Sequence, residues 1–223
     1  LCGGGGGTIL PWEIKKLRDE GIARIYSPDD GREMGLTGMV GNAIEEAGKI
    51  NLLEKSRFNS LSEAISADDH GSVSKLLTMA ENADDSEFQA VLQRVRSVEA
   101  DSGCPVVGLT GTGGAGKSSL TDELMLRIQR DNPGAKVALL ATDPTRKRTG
   151  GALLGDRIRM NSLADDNLFM RSFASRASGR EIADCIGRAI EACQAVGFDL
   201  ILVETSGIGQ GNDAITEVAD LSM

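Results

Sequence analysis

From about residue 103 onward, short unbroken apolar runs alternate with stretches in which apolar residues recur every three to four positions. Val106-Val-Gly-Leu109, Val137-Ala-Leu-Leu-Ala-Thr142 and Phe198-Asp-Leu-Ile-Leu-Val203 are apolar on both alternating faces, the pattern of strands buried on two sides of a parallel sheet. Ser119 to Ile128 reads as a helix. A second helix carries Ile182, Cys185, Ile186, Ala189, Ile190, Cys193 and Val196 at three- and four-residue steps, one apolar stripe behind a capping box at Ser178-Gly-Arg-Glu181. Cys185 and Cys193 therefore read as core residues. Strand, helix, strand, helix in this order predicts an α/β fold with a three-layer sheet over residues 103–223.

The first 102 residues divide into two further segments. In 1–48, Gly3 to Gly7 lead into Thr8-Ile-Leu10, and Pro11 sits where a proline suits the first turn of a helix running Trp12 to Glu20. Ile22 to Tyr26 is a short strand, Ser27-Pro-Asp-Asp-Gly31 has turn chemistry, and Leu36 to Ala47 is a second helix. Five glycines alone would suit a flexible linker, but the order of elements is that of one edge of a parallel sheet. In 49–102 there is no strand-like run. Val73, Leu76 and Leu77, then Phe88, Val91, Leu92 and Val95, fall at helical spacing, and Asp84 or Asp85 is placed to cap the second helix. This segment is expected to be a helical connector, a spacer and docking surface, with His70, the only histidine, solvated in the loop Asp68-Asp-His-Gly71.

Candidate chemistry centres on Gly111-Thr-Gly-Gly-Ala-Gly-Lys117-Ser118, which fits G-x-x-x-x-G-K-[ST] between a strand and a helix. Gly111, Gly113, Gly114, Ala115 and Gly116 let successive backbone N–H groups turn inward around a phosphate, and the helix from Ser118 and Ser119 adds its N-terminal partial charge. Lys117 is predicted to reach the terminal phosphates and the Ser118 hydroxyl a bridging Mg²⁺. The next buried strand ends in Asp143, at the carboxyl edge where ligands bind in such sheets. Between Arg146 and Arg180 there are eight basic and three acidic residues in an otherwise acidic chain, a segment read either as a solvated basic loop or as one of which part folds over a polyphosphate, with Asp156 helping to hold the metal. The third strand delivers Glu204-Thr-Ser-Gly207 to the same edge. Glu204 is placed to hold Mg²⁺ and Gly207 to offer its N–H to a γ-phosphate, the part of the site able to sense hydrolysis. The catalytic pair is thus Lys117 and Glu204.

Composition narrows the partners. Lys and Arg number 24 against 33 Asp and Glu, a net charge of −9, which disfavours nucleic acid and anionic membrane as general partners. The four cysteines show no paired or metal-binding spacing, which points to a reducing, cytoplasmic setting. There is no bilayer-length apolar stretch and no basic residue ahead of the first apolar positions, so neither a membrane span nor a signal peptide is expected. Leu1 at one end and Ala219-Asp-Leu-Ser-Met223, read as stopping without a closing element, suggest a piece of a longer chain.

Three separated blocks, Gly111 to Ser119, Asp143-Pro through Gly150-Gly-Ala-Leu-Leu-Gly-Asp156-Arg-Ile-Arg-Met160, and Val203-Glu-Thr-Ser-Gly-Ile-Gly-Gln210, resemble the G-protein chaperones of adenosylcobalamin-dependent acyl-CoA mutases. Gly3 to Thr8 with Ala23-Arg-Ile-Tyr-Ser-Pro-Asp-Asp-Gly31 is similar to the end of a flavodoxin-like cobalamin-binding domain, and that domain order is the one found in the fused isobutyryl-CoA mutases. The resemblance implies an incomplete P-loop NTPase domain with GTP and GDP as ligands. Gly114 to Ser119 would hold the phosphates, Ser118, Asp143, Asp156 and Glu204 would surround Mg²⁺, and Arg159 would contact the nucleotide. It also implies a homodimeric parent whose attached mutase interconverts isobutyryl-CoA and n-butyryl-CoA, with GTP turnover gating adenosylcobalamin loading and removal. The family's cobalt-ligating histidine motif would lie before Leu1, and its guanine-selecting Asn-Lys-x-Asp after Met223. Two other classes share the phosphate loop: a metallochaperone-type NTPase, which would carry a Cys/His cluster, and a small-molecule kinase, which would need an acceptor pocket.

Overall fold

The computed structural model describes residues 2–4, 9–49, 61, 65–96, 103–144, 160–164, 166–175, 183–207 and 213–223. Its chain divides into two units, Leu1–Glu54 and Lys55–Met223. In the first, Gly3 and Gly4 belong to a strand: β1 (Cys2–Gly4) pairs in parallel with β2 (Arg24–Tyr26), Gly3 lying opposite Ile25. A Cβ on Gly3 would come within 3.3 Å of Ile25 Cδ1, so close pairing uses the missing side chain. Helix α1 (Pro11–Asp19) joins the two strands, and α2 (Pro28–Gly48) follows β2.

Ser27 to Gly31, expected as a turn, instead opens α2. Ser27 Oγ accepts from the Asp30 N–H at 3.2 Å while Asp30 Oδ2 accepts from the Ser27 N–H at 2.7 Å, a reciprocal cap that satisfies two orphan donors. Arg24 donates to the same carboxylate at 2.8 Å. Gly35, at φ 64°, breaks the helix just before Leu36, where the apolar pattern placed a helix start.

The second unit contains α3 (His70–Asn82), α4 (Asp85–Val95), β3 (Val106–Leu109), α5 (Lys117–Asp131), β4 (Val137–Pro144), a 3₁₀ turn (Ser162–Ala164), β5 (Leu168–Ser175), α6 (Ile186–Val196), β6 (Leu200–Glu204), α7 (Asp213–Thr216) and β7 (Leu221–Ser222). Its five strands run parallel in the order β5-β4-β6-β3-β7. Along β4 successive residues serve opposite faces, the period-two rule of a pleated strand. Val137, Leu139 and Ala141 pack with Met125, Met170 and Leu202 on the α5 side. Ala138 and Leu140 pack with Ile186, Ile190, Cys193, Ile201 and Val203 on the other. Helices thus cover both faces, as the strand pattern required.

Four expectations are corrected here. The helices assigned to a connector belong to this core: Val73, Leu76, Leu77, Phe88 and Val95 are buried with Ile201 and Val203, and α3 packs on α6. A helical stripe reports that a face is buried but not what buries it. His70 is the first residue of α3, not a solvated loop residue. Asp69 caps this helix through the Ser72 N–H at 3.0 Å, and the imidazole lies edge-on to Phe169 with centroids 5.2 Å apart. Asp84 caps α4 through the Glu87 N–H. Part of the basic run is strand β5, in which Arg171 lies over the Phe173 ring and reaches Glu81 at 3.3 Å. The last residues do close an element. β7 pairs with β3, Met223 N–H donates to Gly108 O at 2.8 Å, and Asp220 accepts from the Val106 N–H at 2.8 Å.

The expected capping box at Ser178 lies outside the described residues. Helix α6 itself starts at Ile186, because Ala183 to Cys185 form a turn closed by the Ile186 N–H on Ala183 O at 3.0 Å. Ile182 also lies outside the described residues, and the rest of the predicted stripe holds, with Cys185, Ile186, Ala189, Ile190, Cys193 and Val196 all buried.

Candidate nucleotide-binding site

Strand β3 runs straight into the glycine loop, and α5 begins at Lys117 behind Gly116, which stands at φ 90° with no side chain to cap the helix. That left-handed turn is natural for glycine and strained for other residues. It leaves the first N–H groups of α5 to whatever anion the loop holds. Lys117 Nζ arches back to donate to Gly111 O at 2.8 Å and to Thr112 O at 3.2 Å. Ala115 N–H closes a turn on Thr112 O.

Strand order brings the acidic groups alongside. β6 lies between β3 and β4, with Glu204 opposite both Leu109 and Ala141. Its carboxylate, on a residue only 7% exposed, accepts from Ser118 Oγ at 2.7 Å, and Thr121 Oγ1 lies 3.4 Å away. Asp143 is buried at the end of β4, two residues beyond the partner of Glu204. Gly207, at φ 69°, closes the arrangement: its carbonyl accepts from the Gly113 N–H at 3.0 Å. A Cβ there would lie 2.6 Å from Lys117 Nζ, so the segment after β6 is pressed against the phosphate loop.

The structure therefore assembles Gly111, Gly113, Lys117, Ser118, Glu204 and Gly207, with Asp143 on the adjacent strand end. Gly114, Gly116, Lys117, Ser118 and Ser119 line a cleft of about 590 Å³, a size suited to a small-molecule ligand. Asp156 and Arg159 lie outside the described residues. Among the described residues no group of three or more His, Cys, Asp and Glu is placed to hold a metal ion. An oxygen site completed by phosphates and water needs no such group. Burial, with Cys104 close by, pushes the Cys193 thiol up, away from the reactive thiolate.

Two lining residues went unnoticed in the sequence: Asp122 and Asn161, which with Met160 of the basic segment complete the cleft. Asp122 lies four residues after Ser118, one helical turn along the same face, a signal available from periodicity alone. Its carboxylate accepts from Asn161 N–H, Asn161 Nδ2 and Ser162 N–H. Burial by itself would raise this carboxyl, but the hydrogen bonds from Ser162 and Asn161 outweigh it and hold Asp122 below its ordinary value.

The family profile of the methylmalonyl Co-A mutase-associated GTPase MeaB matches residues 73–223. The chain belongs to this family. Its second unit is a GTPase domain with the P-loop NTPase sheet, and the match takes in nearly all of α3 and the whole of α4. The chain is also 47% identical over its whole length to the fused isobutyryl-CoA mutase of Geobacillus kaustophilus, of which it covers 21%. It is 46% identical over its whole length to that of Cupriavidus metallidurans, of which it covers 20%. A protein of Pyrococcus horikoshii named as a GTPase is 39% identical over 73% of this chain and 50% of its own length. The chain thus spans about a fifth of the length of each of these fused mutases. Among the described residues no helix is long and apolar enough to cross a membrane.

Proposed function

We propose that this GTPase domain hydrolyses GTP with Mg²⁺ and, in a cytoplasmic, homodimeric parent chain, gates adenosylcobalamin loading and removal for an attached acyl-CoA mutase acting on isobutyryl-CoA and n-butyryl-CoA. The observation that carries the reading is the 2.7 Å hydrogen bond from Ser118 to Glu204. It ties the start of the phosphate helix to the end of β6, and three residues on Gly207 touches the phosphate loop at Gly113.

The donor set suits Mg²⁺. Ser118 gives its one proton to Glu204, which leaves its oxygen lone pairs for a hard cation, and the carboxylates of Glu204 and Asp143 are hard oxygen donors. Asp156 would join them by resemblance. When bound, Mg²⁺ neutralises charge on the phosphate oxygens. Lys117 offsets charge on the terminal phosphates and Gly111 to Ser119 orient the polyphosphate through backbone N–H groups; by resemblance, Arg159 would contact the nucleotide. Glu204 positions Ser118 and, through its short link to Gly207, connects the γ-phosphate to the segment after β6. Adenosylcobalamin is another matter: residues 1–54 contain no histidine, so the first unit by itself gives cobalt no imidazole ligand.

The test is a pair of substitutions in the parent protein. Lys117→Ala weakens GTP binding and lowers kcat/KM for hydrolysis by roughly 10²–10³, the scale of losing one preorganised cationic or hydrogen-bonding contact to the developing charge. Glu204→Ala retains appreciable binding while turnover falls. Both keep mutase turnover under saturating adenosylcobalamin but lose nucleotide-dependent cofactor transfer. Loss of mutase turnover under those conditions in a folded variant would refute the separation of roles.

A further inference from the structure

The cleft has two chemically different ends. At one, Lys117 and the backbone N–H groups around Gly116 suit phosphate. At the other, Asp122, Met160 and Asn161 form a wall one turn further along α5, about 6 Å past Ser118. An ionised carboxylate there repels phosphate. A nucleotide with its phosphates at the first end that continues along this one cleft meets the second end with its uncharged half.

The wall is built to stay in place. Asp122 Oδ2 accepts from Asn161 N–H at 3.1 Å and from Asn161 Nδ2 at 3.3 Å, and Oδ1 accepts from Ser162 N–H at 2.9 Å. Ser162 is 2% exposed and Met160 is 7% exposed, so both flanks of Asn161 are anchored in the core while Asn161 itself is exposed. With its Nδ2 tied to Asp122, the Asn161 amide keeps Oδ1 as an acceptor suited to a hydroxyl or N–H donor.

We infer that Asn161 and Met160, held by Asp122, form the surface on which the nucleoside half of the nucleotide rests, Asn161 accepting a hydrogen bond from it and Met160 giving apolar contact. Asp122 is a positioning residue: it acts through the wall and not on the phosphates. The inference rests on the phosphate-loop reading above and assigns that site its second half.

The experiment titrates the chain with GDP and, separately, with pyrophosphate, which carries the phosphates without the nucleoside, at fixed Mg²⁺. Asn161→Ala, an exposed position, raises the Kd for GDP about tenfold and leaves that for pyrophosphate within about twofold, with unchanged thermal unfolding. Asp122→Asn does the same to GDP by loosening the wall. Equal weakening of both ligands, or unchanged GDP binding in Asn161→Ala, overturns the inference and leaves the phosphate loop intact. Lys117→Ala weakens both ligands. If it leaves pyrophosphate binding untouched, or the unsubstituted chain binds neither ligand, the phosphate-loop reading fails and this one with it.

Discussion

Gly207→Ala separates the segment after β6 from the phosphate loop with the smallest possible change. At φ 69° an L-residue is in the left-handed region, at a cost of about 1–2 kcal/mol. The added methyl would also sit 2.6 Å from Lys117 Nζ, 3.0 Å from Gly113 N and 3.1 Å from Gly111 O. The lysine end can swing away, but the two backbone atoms cannot without moving the loop. The segment must therefore retreat, which loses the 3.0 Å hydrogen bond from Gly113 to Gly207, a further 0.5–1.5 kcal/mol or so. The strain and the lost bond together come to about 1.5–3.5 kcal/mol against the loop-bound state of the unsubstituted chain, or roughly a 10- to 300-fold bias. A γ-phosphate met by the residue 207 N–H needs that state, whereas GDP does not. GTP affinity and hydrolysis are expected to fall by that factor while GDP affinity changes less than about threefold. Gly134→Ala, at φ 93° with no atom within 4 Å of its added methyl and remote from the cleft residues, is the control for backbone strain alone. Hydrolysis at the unsubstituted rate in Gly207→Ala would refute the coupling.

Two further outcomes follow from the packing and the charges. Leu76→Ala, at a fully buried position of α3, should cost about 2–5 kcal/mol and lower Tm by several degrees to well over ten, read by thermal unfolding; a loss below about 0.5 kcal/mol would mean that α3 is a spacer after all. The Asp122 carboxyl is lowered from its ordinary 3.8, so its contribution is fully present above that value and is lost as pH falls through the lower folded value. The stability gap between the unsubstituted chain and Asp122→Asn should therefore be constant from neutral pH to about 4 and close below it, and a gap unchanged at pH 2 would count against the hydrogen-bonded role of this carboxylate.

The parts legible in the sequence are those whose signal is local. The β3, β4 and β6 runs are buried on both faces, so their apolar character is unbroken, and the phosphate loop is one contiguous string. β5 escaped notice because Arg171 and Ser172 interrupt its apolar run and its place depends on pairing with β4, some thirty residues earlier. β7 is two residues long, below any periodic signal, and depends on Asp220 meeting the Val106 N–H across 114 positions of sequence. The α3 and α4 stripes were visible, but nothing local says that their partner is α6. The same holds in the site. Lys117, Ser118, Glu204 and Gly207 announce themselves by motif and strand end, whereas Asp122 and Asn161 are joined across 39 positions by a loop closure that no spacing encodes.

The geometry also explains why phosphate binding should be felt beyond the loop. In the structure the Lys117 ammonium is bonded to the Gly111 and Thr112 carbonyls, the Gly113 N–H to the Gly207 carbonyl, and the Ser118 hydroxyl to Glu204. A phosphate does not meet an idle ammonium; it has to take Lys117 from these carbonyls. Charge-assisted bonds to phosphate are roughly twice as strong as bonds to a neutral carbonyl, so the exchange favours the ligand. The bond from Gly113 to Gly207, by contrast, keeps residue 207 at the loop, where its N–H can meet a γ-phosphate. Gly207 is three residues from Glu204, which is buried in register with two neighbouring strands, and the buried Thr205 still bonds Leu109 O through its N–H, so a shift at Gly207 is absorbed at Ser206 and not by the sheet. By linkage, whatever holds residue 207 at the loop strengthens γ-phosphate binding by the same factor that the γ-phosphate strengthens that hold. A surface that reads the stretch after Glu204 can therefore read the nucleotide without touching it.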